Sequence, residues 1–324
     1  MQATLRFIAK CAVALLAAVT IVAAAQDFPS KPIRLILPSS PGNVADLVAR
    51  TLATPMGKAL GQPVVIENIA GAGGVIGTER VARAPRDGYT LGLVSNNHVI
   101  NPSVIRNIPF DSVKDMSVVS VVATTPLVLV AHPSVAARDL RELLALARAH
   151  PGTLNYGSSG NGTVLHLAGV LLVSETGVDI LHVPYKGFSA MLTDLLGGQI
   201  QVAFAGIPTV APHIKSGKLR AIGVSTAARS PVLPEVPALA EAGLPGYNFD
   251  AWIALVGPAG LPKPVLDRLN AALQSALAAP EATELFSAQG LAAVGGPADA
   301  SSGFLQAELD KHTKLMKRSG ATLD

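Results

Sequence analysis

The stretch from Leu154 to Val173 holds the residues best suited to chemistry. It reads Leu-Asn-Tyr-Gly-Ser-Ser-Gly-Asn-Gly-Thr, then Val-Leu-His-Leu-Ala-Gly-Val-Leu-Leu-Val. A short strand ends near Tyr156, a loop of small and polar residues follows, and an apolar helix begins. In such a unit, small residues let an anion approach the unpaired backbone N–H groups at the helix start. The hydroxyls of Ser158, Ser159 and Thr163 add donors. The plainer alternative is a turn made by Gly and Ser, with Thr163 only capping the helix. Sharper motifs fail. Gly157 to Thr163 has the Gly and Thr spacing of a P-loop, but no Lys stands between Gly162 and Thr163. Ser159 is not in a nucleophile elbow, because Asn161 occupies the place of the last Gly.

A second loop has the same plan. Pro32 to Leu37 reads as a strand, Pro38-Ser-Ser-Pro-Gly-Asn43 as a loop, and Ala45 onward as a helix with Leu47, Val48, Thr51 and Leu52 on one face. Pro41-Gly42 is either a tight turn or part of a second ligand loop. Ser95 to His98 follows a strand from Tyr89 to Val94, at the strand end where open α/β sheets bind ligands. His98 has no metal-ligand partner nearby, and a structural hydrogen bond is its commoner use. Gly71 to Gly77 resembles a dinucleotide fingerprint but has Ile76 where the third Gly belongs. No cofactor or metal site is expected.

These loops need a scaffold. Val64 to Glu67, Val178 to Val183, Ile200 to Phe204, Leu219 to Val224 and Ile253 to Val256 read as strands. Two β-rich runs between Val118 and Ala131 are split by Pro126. Helices are expected over Leu140 to Ala147, Ala190 to Leu196, Lys263 to Ala278, Pro280 to Gln289 and about Ser301 to Lys317. Pro55 should end or kink the first helix. Strands alternate with helices, so the sheets should be largely parallel.

The first 25 residues read as a cleavable leader. Arg6 and Lys10 are basic, Cys11 to Val22 is apolar, and Ala23-Ala24-Ala25 precedes Gln26. The apolar run is about 12 residues, short of the roughly 20 that a membrane span needs, which disfavours a signal anchor. The single cysteine, Cys11, lies in this segment, so the processed chain could form no disulfide. Without Arg6 and Lys10, the 25 basic residues fall to 23 against 22 acidic ones. No basic stripe is visible, which argues against a nucleic-acid partner. The length allows two domains.

The chain resembles the substrate-binding proteins of tripartite tricarboxylate transporters, the Bug or TctC-like extracytoplasmic solute receptors. The resemblance runs from Pro29 to about Ser319. It is carried by Pro29-Ser-Lys-Pro-Ile-Arg34, Pro41-Gly42 with Asp46, Gly61-Gln-Pro-Val-Val65, Gly71-Ala-Gly-Gly74, Asp87-Gly-Tyr-Thr90 and the loop to Thr163. His182-Val-Pro-Tyr-Lys-Gly187, Pro212-His-Ile-Lys215, Gly217-Lys-Leu-Arg-Ala221 and Glu241-Ala-Gly-Leu-Pro245 complete it. It implies an α/β fold of the type II periplasmic-binding-protein class, two lobes joined by crossing strands near Pro126 to Ala131 and Trp252 to Val256. One lobe would be 27–125 plus 251–324, the other 126–250. It implies that Pro41, Gly42, Asn43 and Val44, with Ser158, Ser159, Gly160, Gly162 and Thr163, hold a ligand carboxylate, partly through water.

Two departures bear on the ligand. The family's first loop usually reads Pro-Gly-Gly-Gly-Thr-Asp, whereas here Asn43 and Val44 add bulk. The family often has Phe-Asp before a Pro in the second lobe, whereas here Ala205 follows Phe204. An amino-acid ligand needs a counter-charge for its ammonium, because an unpaired buried charge is costly. Ala205 removes one, and Asp250 could replace it only by facing the cleft. The leading expectation is a periplasmic protein, not an enzyme, that binds a small organic carboxylate: a di- or tricarboxylate, or a hydroxy or aromatic acid. Its partners would be membrane permease subunits. The alternatives are a secreted serine hydrolase using Ser158 or Ser159 with His98, His166 or His182, and a receptor that docks on a sensor kinase.

Overall fold

The computed structural model describes residues 28–301 and 303–319. The expected leader, Met1 to Ala25, lies outside the described residues. Ten strands pair into one curled sheet: β1 (Ile33–Leu37), β2 (Val64–Asn68), β3 (Thr90–Ser95), β4 (Met116–Ala131), β5 (Asn155–Ser158), β6 (Leu181–Pro184), β7 (Val202–Gly206), β8 (Arg220–Val224), β9 (Asp250–Pro258) and β10 (Ala292–Ala293). Their order is β2-β1-β3-β9-β4-β7-β5-β6, with β8 and β10 also on β4. The helices are α1 (Val44–Leu60), α2 (Val75–Ala82), α3 (Asn97–Ile100), α4 (Leu140–Ala149), α5 (Val164–Thr176), α6 (Phe188–Leu196), α7 (Ile207–Lys215), α8 (Lys263–Leu277), α9 (Pro280–Gln289) and α10 (Phe304–Ser319). Among the described residues, no helix is long and apolar enough to cross a membrane.

The expectation of largely parallel sheets needs correction. β1 runs parallel to β2 and β3, and β5 parallel to β6 and β7. The centre is antiparallel: β9 against β3 and β4, and β4 against β7 and β8. The reason is β4 itself. Pro126 does not split it. The strand continues through Pro126 and changes partners there, pairing Pro126 with Asp250 of β9 and Leu127 with Gly206 of β7. Proline lacks a ladder donor, and the change of partners is where that loss is tolerated.

Helix α1 also runs through its proline. Pro55 is buried, and Met56 and Leu60 beyond it are buried too. Burying those side chains offsets the roughly 3 kcal/mol that an interior proline costs. The helix stops instead at Gly61, which is left-handed and returns its N–H to Gly57 O at 2.9 Å. Helix α7 is not among the expected helices; Pro208 occupies its first turn, where a missing N–H costs nothing. β6 starts later than expected, at Leu181.

The core is divided. One cluster gathers Leu127 to Ala131 of β4 with Phe204, Tyr247 and Phe249. A second gathers β1, β3 and β9 residues with α1 and α8. A third packs Trp252 and Val256 with Leu305 of α10. The strand ends on both sides of the β4 changeover point at one space.

Candidate functional site

That space is a cavity of about 750 Å³. Of the candidate residues, Asn43, Val44, Ser95, Ser159, Gly160 and Thr163 line it. Pro41, Gly42, Ser158, Gly162 and Ala205 are not among its lining residues. They sit in or behind the same walls. Pro41 O accepts a hydrogen bond from Ser189 Oγ at 3.2 Å, and the Gly42 N–H donates to Asp46 Oδ2 at 3.1 Å. Ser158 and Ala205 are fully buried. Gly162 is left-handed, with Val104 and Asn101 where a side chain would go.

The first loop is set by its helix cap. Asn43 Oδ1 accepts the Asp46 N–H at 2.9 Å, while Asn43 Nδ2 donates to Ser40 O at 3.1 Å. Burial pushes the Asp46 carboxyl up, but hydrogen bonds from Arg50, the Gly42 N–H and Asn68 outweigh it and hold it below its usual range. The side-chain amide of Asn43 is thus spent on the loop, whereas Ser40 contributes to the wall.

The second loop is set by α5. Thr163 Oγ1 accepts the His166 N–H at 3.4 Å as a helix cap and donates to Gly160 O at 2.8 Å. The Gly162 N–H donates to His166 Nδ1 at 3.2 Å. Ser158 Oγ lies 2.7 Å from His182 Nε2 and accepts the Gly160 N–H at 3.2 Å. The first helical amide, Val164 N–H, donates to Asn97 Oδ1 at 2.7 Å from the other side of the cavity. The loop therefore keeps Ser159 and Asn161 facing inward while its other groups fix its shape.

Several lining residues were not among the candidates, although Asn97 and His98 lie in the strand-end stretch from Ser95. Asn97 and Asn101 follow β3; Asn101 Nδ2 donates to Gly73 O at 3.1 Å and ties in the Gly71 to Gly74 segment. Asn96 holds this turn to β9, its Oδ1 accepting the Trp252 N–H at 2.9 Å. His98 also lines the cavity, and its Nε2–H donates to Ser112 O at 2.6 Å. Burial pushes this imidazole down to about 4, so it is neutral. Tyr185 lines the opposite wall and donates to Asp194 Oδ2 at 2.8 Å.

The electrostatics are one-sided. Among the described residues that line the cavity there is no Asp or Glu, and Lys186 is the only Lys or Arg. Asp250 is not among them; it pairs with Lys311 of α10 at 3.8 Å. An anion entering this space meets hydroxyls, amides, helix N-termini and one exposed lysine, and no carboxylate.

Solved structures share this architecture. The chain aligns with R. palustris Rpa4515, solved with adipate, at a TM-score of 0.87 and 32% identity, covering 91% of this chain and 99% of that one. It aligns with MatC from Rhodopseudomonas palustris, solved with bound malate, at a TM-score of 0.85 and 30% identity, covering 89% and 99%. The periplasmic binding protein BugD aligns at a TM-score of 0.87 and 32% identity, covering 91% of this chain and 99% of that one, and the fold is that of periplasmic binding proteins. BugT of Bordetella pertussis is 37% identical over 301 residues, 92% of each chain. Residues 48–321 match the model of the TctC family, described as the tripartite tricarboxylate transporter family receptor, and the chain belongs to that family.

Proposed function

We propose that this chain is a periplasmic receptor that captures a small organic carboxylate in the 750 Å³ cavity and delivers it to the membrane permease subunits of a tripartite tricarboxylate transporter. The observation that carries this reading is the lining: a single lysine, donors from two loops, and no acidic residue among the described residues there. Adipate and malate in the two similar structures support the same ligand class. Residues 1–25 would serve as the leader, cut after Ala25.

The ligand lacks an α-ammonium on this reading. Ala205 is buried outside the lining, and Asp250 is engaged by Lys311. A buried ammonium would stand unpaired, at a cost of several kcal/mol. We take 27–125 with 251–324 and 126–250 as two lobes that close on the ligand, with hinges at Pro126 and at the start of β9. Closure of this kind is the usual motion of such proteins.

The protein is not an enzyme on this reading. Ser158 and His182 form a Ser–His contact at 2.7 Å, but Ser158 is fully buried and its oxygen is engaged by loop backbone. A substrate carbonyl has no route to it. Native mass spectrometry of purified protein, followed by denaturing release, tests the proposal. A retained carboxylic acid supports it; a retained amine or sugar without a carboxylate contradicts it. Turnover of a model ester would contradict the non-enzymatic part.

A further inference from the structure

The ligand loop rests on two stacked histidines that do not line the cavity. Residues 158–163 divide between two directions. Ser159, Asn161 and Thr163 line the cavity. Ser158 and Gly162 contact the histidines behind it. His182 Nε2 lies 2.7 Å from Ser158 Oγ, which accepts the Gly160 N–H at 3.2 Å. His166 Nδ1 accepts the Gly162 N–H at 3.2 Å. One ring thus holds the start of the loop and the other holds its end.

The rings lie face to face, with centroids 3.9 Å apart and planes 8° apart. Tyr156 covers His182 at 4.8 Å. Tyr156 is itself seated on Gly169 of α5, where a β-carbon would overlap its ring. β5, β6 and α5 therefore meet at this stack, and Tyr156 stands opposite His182 in the β5–β6 ladder. A donating Gly162 N–H needs a lone pair on Nδ1, so His166 carries its proton on Nε2 and is neutral. Burial pushes both rings below the usual imidazole range, His166 to about 3 and His182 to about 4.

We propose that His166 and His182 are positioning residues of the binding site: a neutral stacked pair that fixes the loop from behind, so that carboxylate affinity depends on two ring nitrogens the carboxylate never touches. The affinity part rests on the receptor reading above; the loop part does not.

The test pairs variants that keep the shape of the stack with variants that keep its polar atom. Phe preserves the stack and removes the ring nitrogens. In His166→Asn the amide oxygen stands near the place of Nδ1, and in His182→Gln the amide reaches the place of Nε2. Amide hydrogen exchange is followed by NMR at Gly162 and Gly160, and adipate binding by Trp252 fluorescence. His166→Phe should speed exchange at Gly162, and His182→Phe at Gly160, by about tenfold or more, the equivalent of one lost hydrogen bond. Adipate affinity should fall by about tenfold in both. The Asn and Gln variants should recover most of each loss. Unchanged exchange in the Phe variants, or Asn and Gln variants no better than Phe, overturns the inference. If wild-type protein ignores adipate, that failure falls on the receptor reading for this acid, and exchange alone decides the inference. Should His166→Phe not fold, His166→Gln, with its acceptor displaced by one carbon, replaces it against His166→Asn.

Discussion

Val44 and Gly206 touch across the cavity: a β-carbon on Gly206 would overlap Val44 Cγ2. Val44 opens α1 and Gly206 ends β7, so the contact joins the two sides of the β4 changeover. Gly206 has φ −66°, which any residue adopts, so only space forbids a side chain there.

Gly206→Ala should therefore hold the two sides apart without straining its own backbone. We expect a larger radius of gyration by small-angle scattering at saturating adipate, and roughly tenfold weaker binding if one cross-cavity hydrogen bond is lost with the contact. Val44→Ala in the same chain should restore both. Two single variants that simply add, with no rescue, would show that this contact does not report closure.

Thr163 and Lys186 make a second comparison. The Thr163 hydroxyl is used twice, as helix cap and as donor to Gly160 O. Thr163→Val keeps the shape, costs about 1 kcal/mol of cap stability, and loosens the loop that faces the cavity. Carboxylate binding should weaken about 10- to 100-fold, by the rule of 1.4 kcal/mol per tenfold. Lys186 lines the cavity but is exposed, and exposed charges contribute about 0–1 kcal/mol. Calorimetry on Thr163→Val and Lys186→Met should rank threonine first. Binding abolished by the lysine change alone would make the site an ion pair rather than a helix-terminus site.

Acid should destabilise the fold through its buried imidazoles. Burial pushes His98 to about 4, His166 to about 3 and His182 to about 4. An unfolded imidazole titrates near 6.5, above all three, so the unfolded chain takes up more protons as pH falls. The stabilisation is complete above about 6.5 and is lost on the way down to about 4 for His98 and His182 and about 3 for His166, with the half-buried His182 contributing least. Urea midpoints measured at pH 7.5, 6 and 5 should fall in that order. A midpoint that holds steady to pH 5 would mean that the rings are charged in the folded state.

The two loops that flank the cavity were legible as loops because their punctuation is local. Pro41-Gly42-Asn43 before α1 and Gly160 to Thr163 before α5 announce a turn, a left-handed glycine and a cap within a few residues. The prolines misled for the opposite reason. Pro55 and Pro126 break local rules, and what keeps the chain regular there is tertiary: burial beyond Pro55 and a change of strand partners at Pro126. Asn101 and Tyr185 were invisible as wall residues because a polar side chain after a strand reads as any turn. Only the curl of the sheet brings β3, β5 and β6 to one space. The sequence offered Ser158 or Ser159 with any of three histidines, and only the β5–β6 ladder singles out Ser158 with His182, 24 residues apart.

The most direct test of carboxylate capture without an ammonium is calorimetry on matched acids. Malate against aspartate, glutarate against glutamate, and adipate against 2-aminoadipate differ chiefly in the amine. Among the described residues that line the cavity none is acidic, and Asp250 is paired with Lys311. We predict that in at least one pair the acid without nitrogen binds and its amino counterpart binds at least about 100-fold more weakly, the equivalent of about 3 kcal/mol for an unpaired buried charge. Tighter binding of the amino member in any pair, or no binding by any member of the three, would contradict the account.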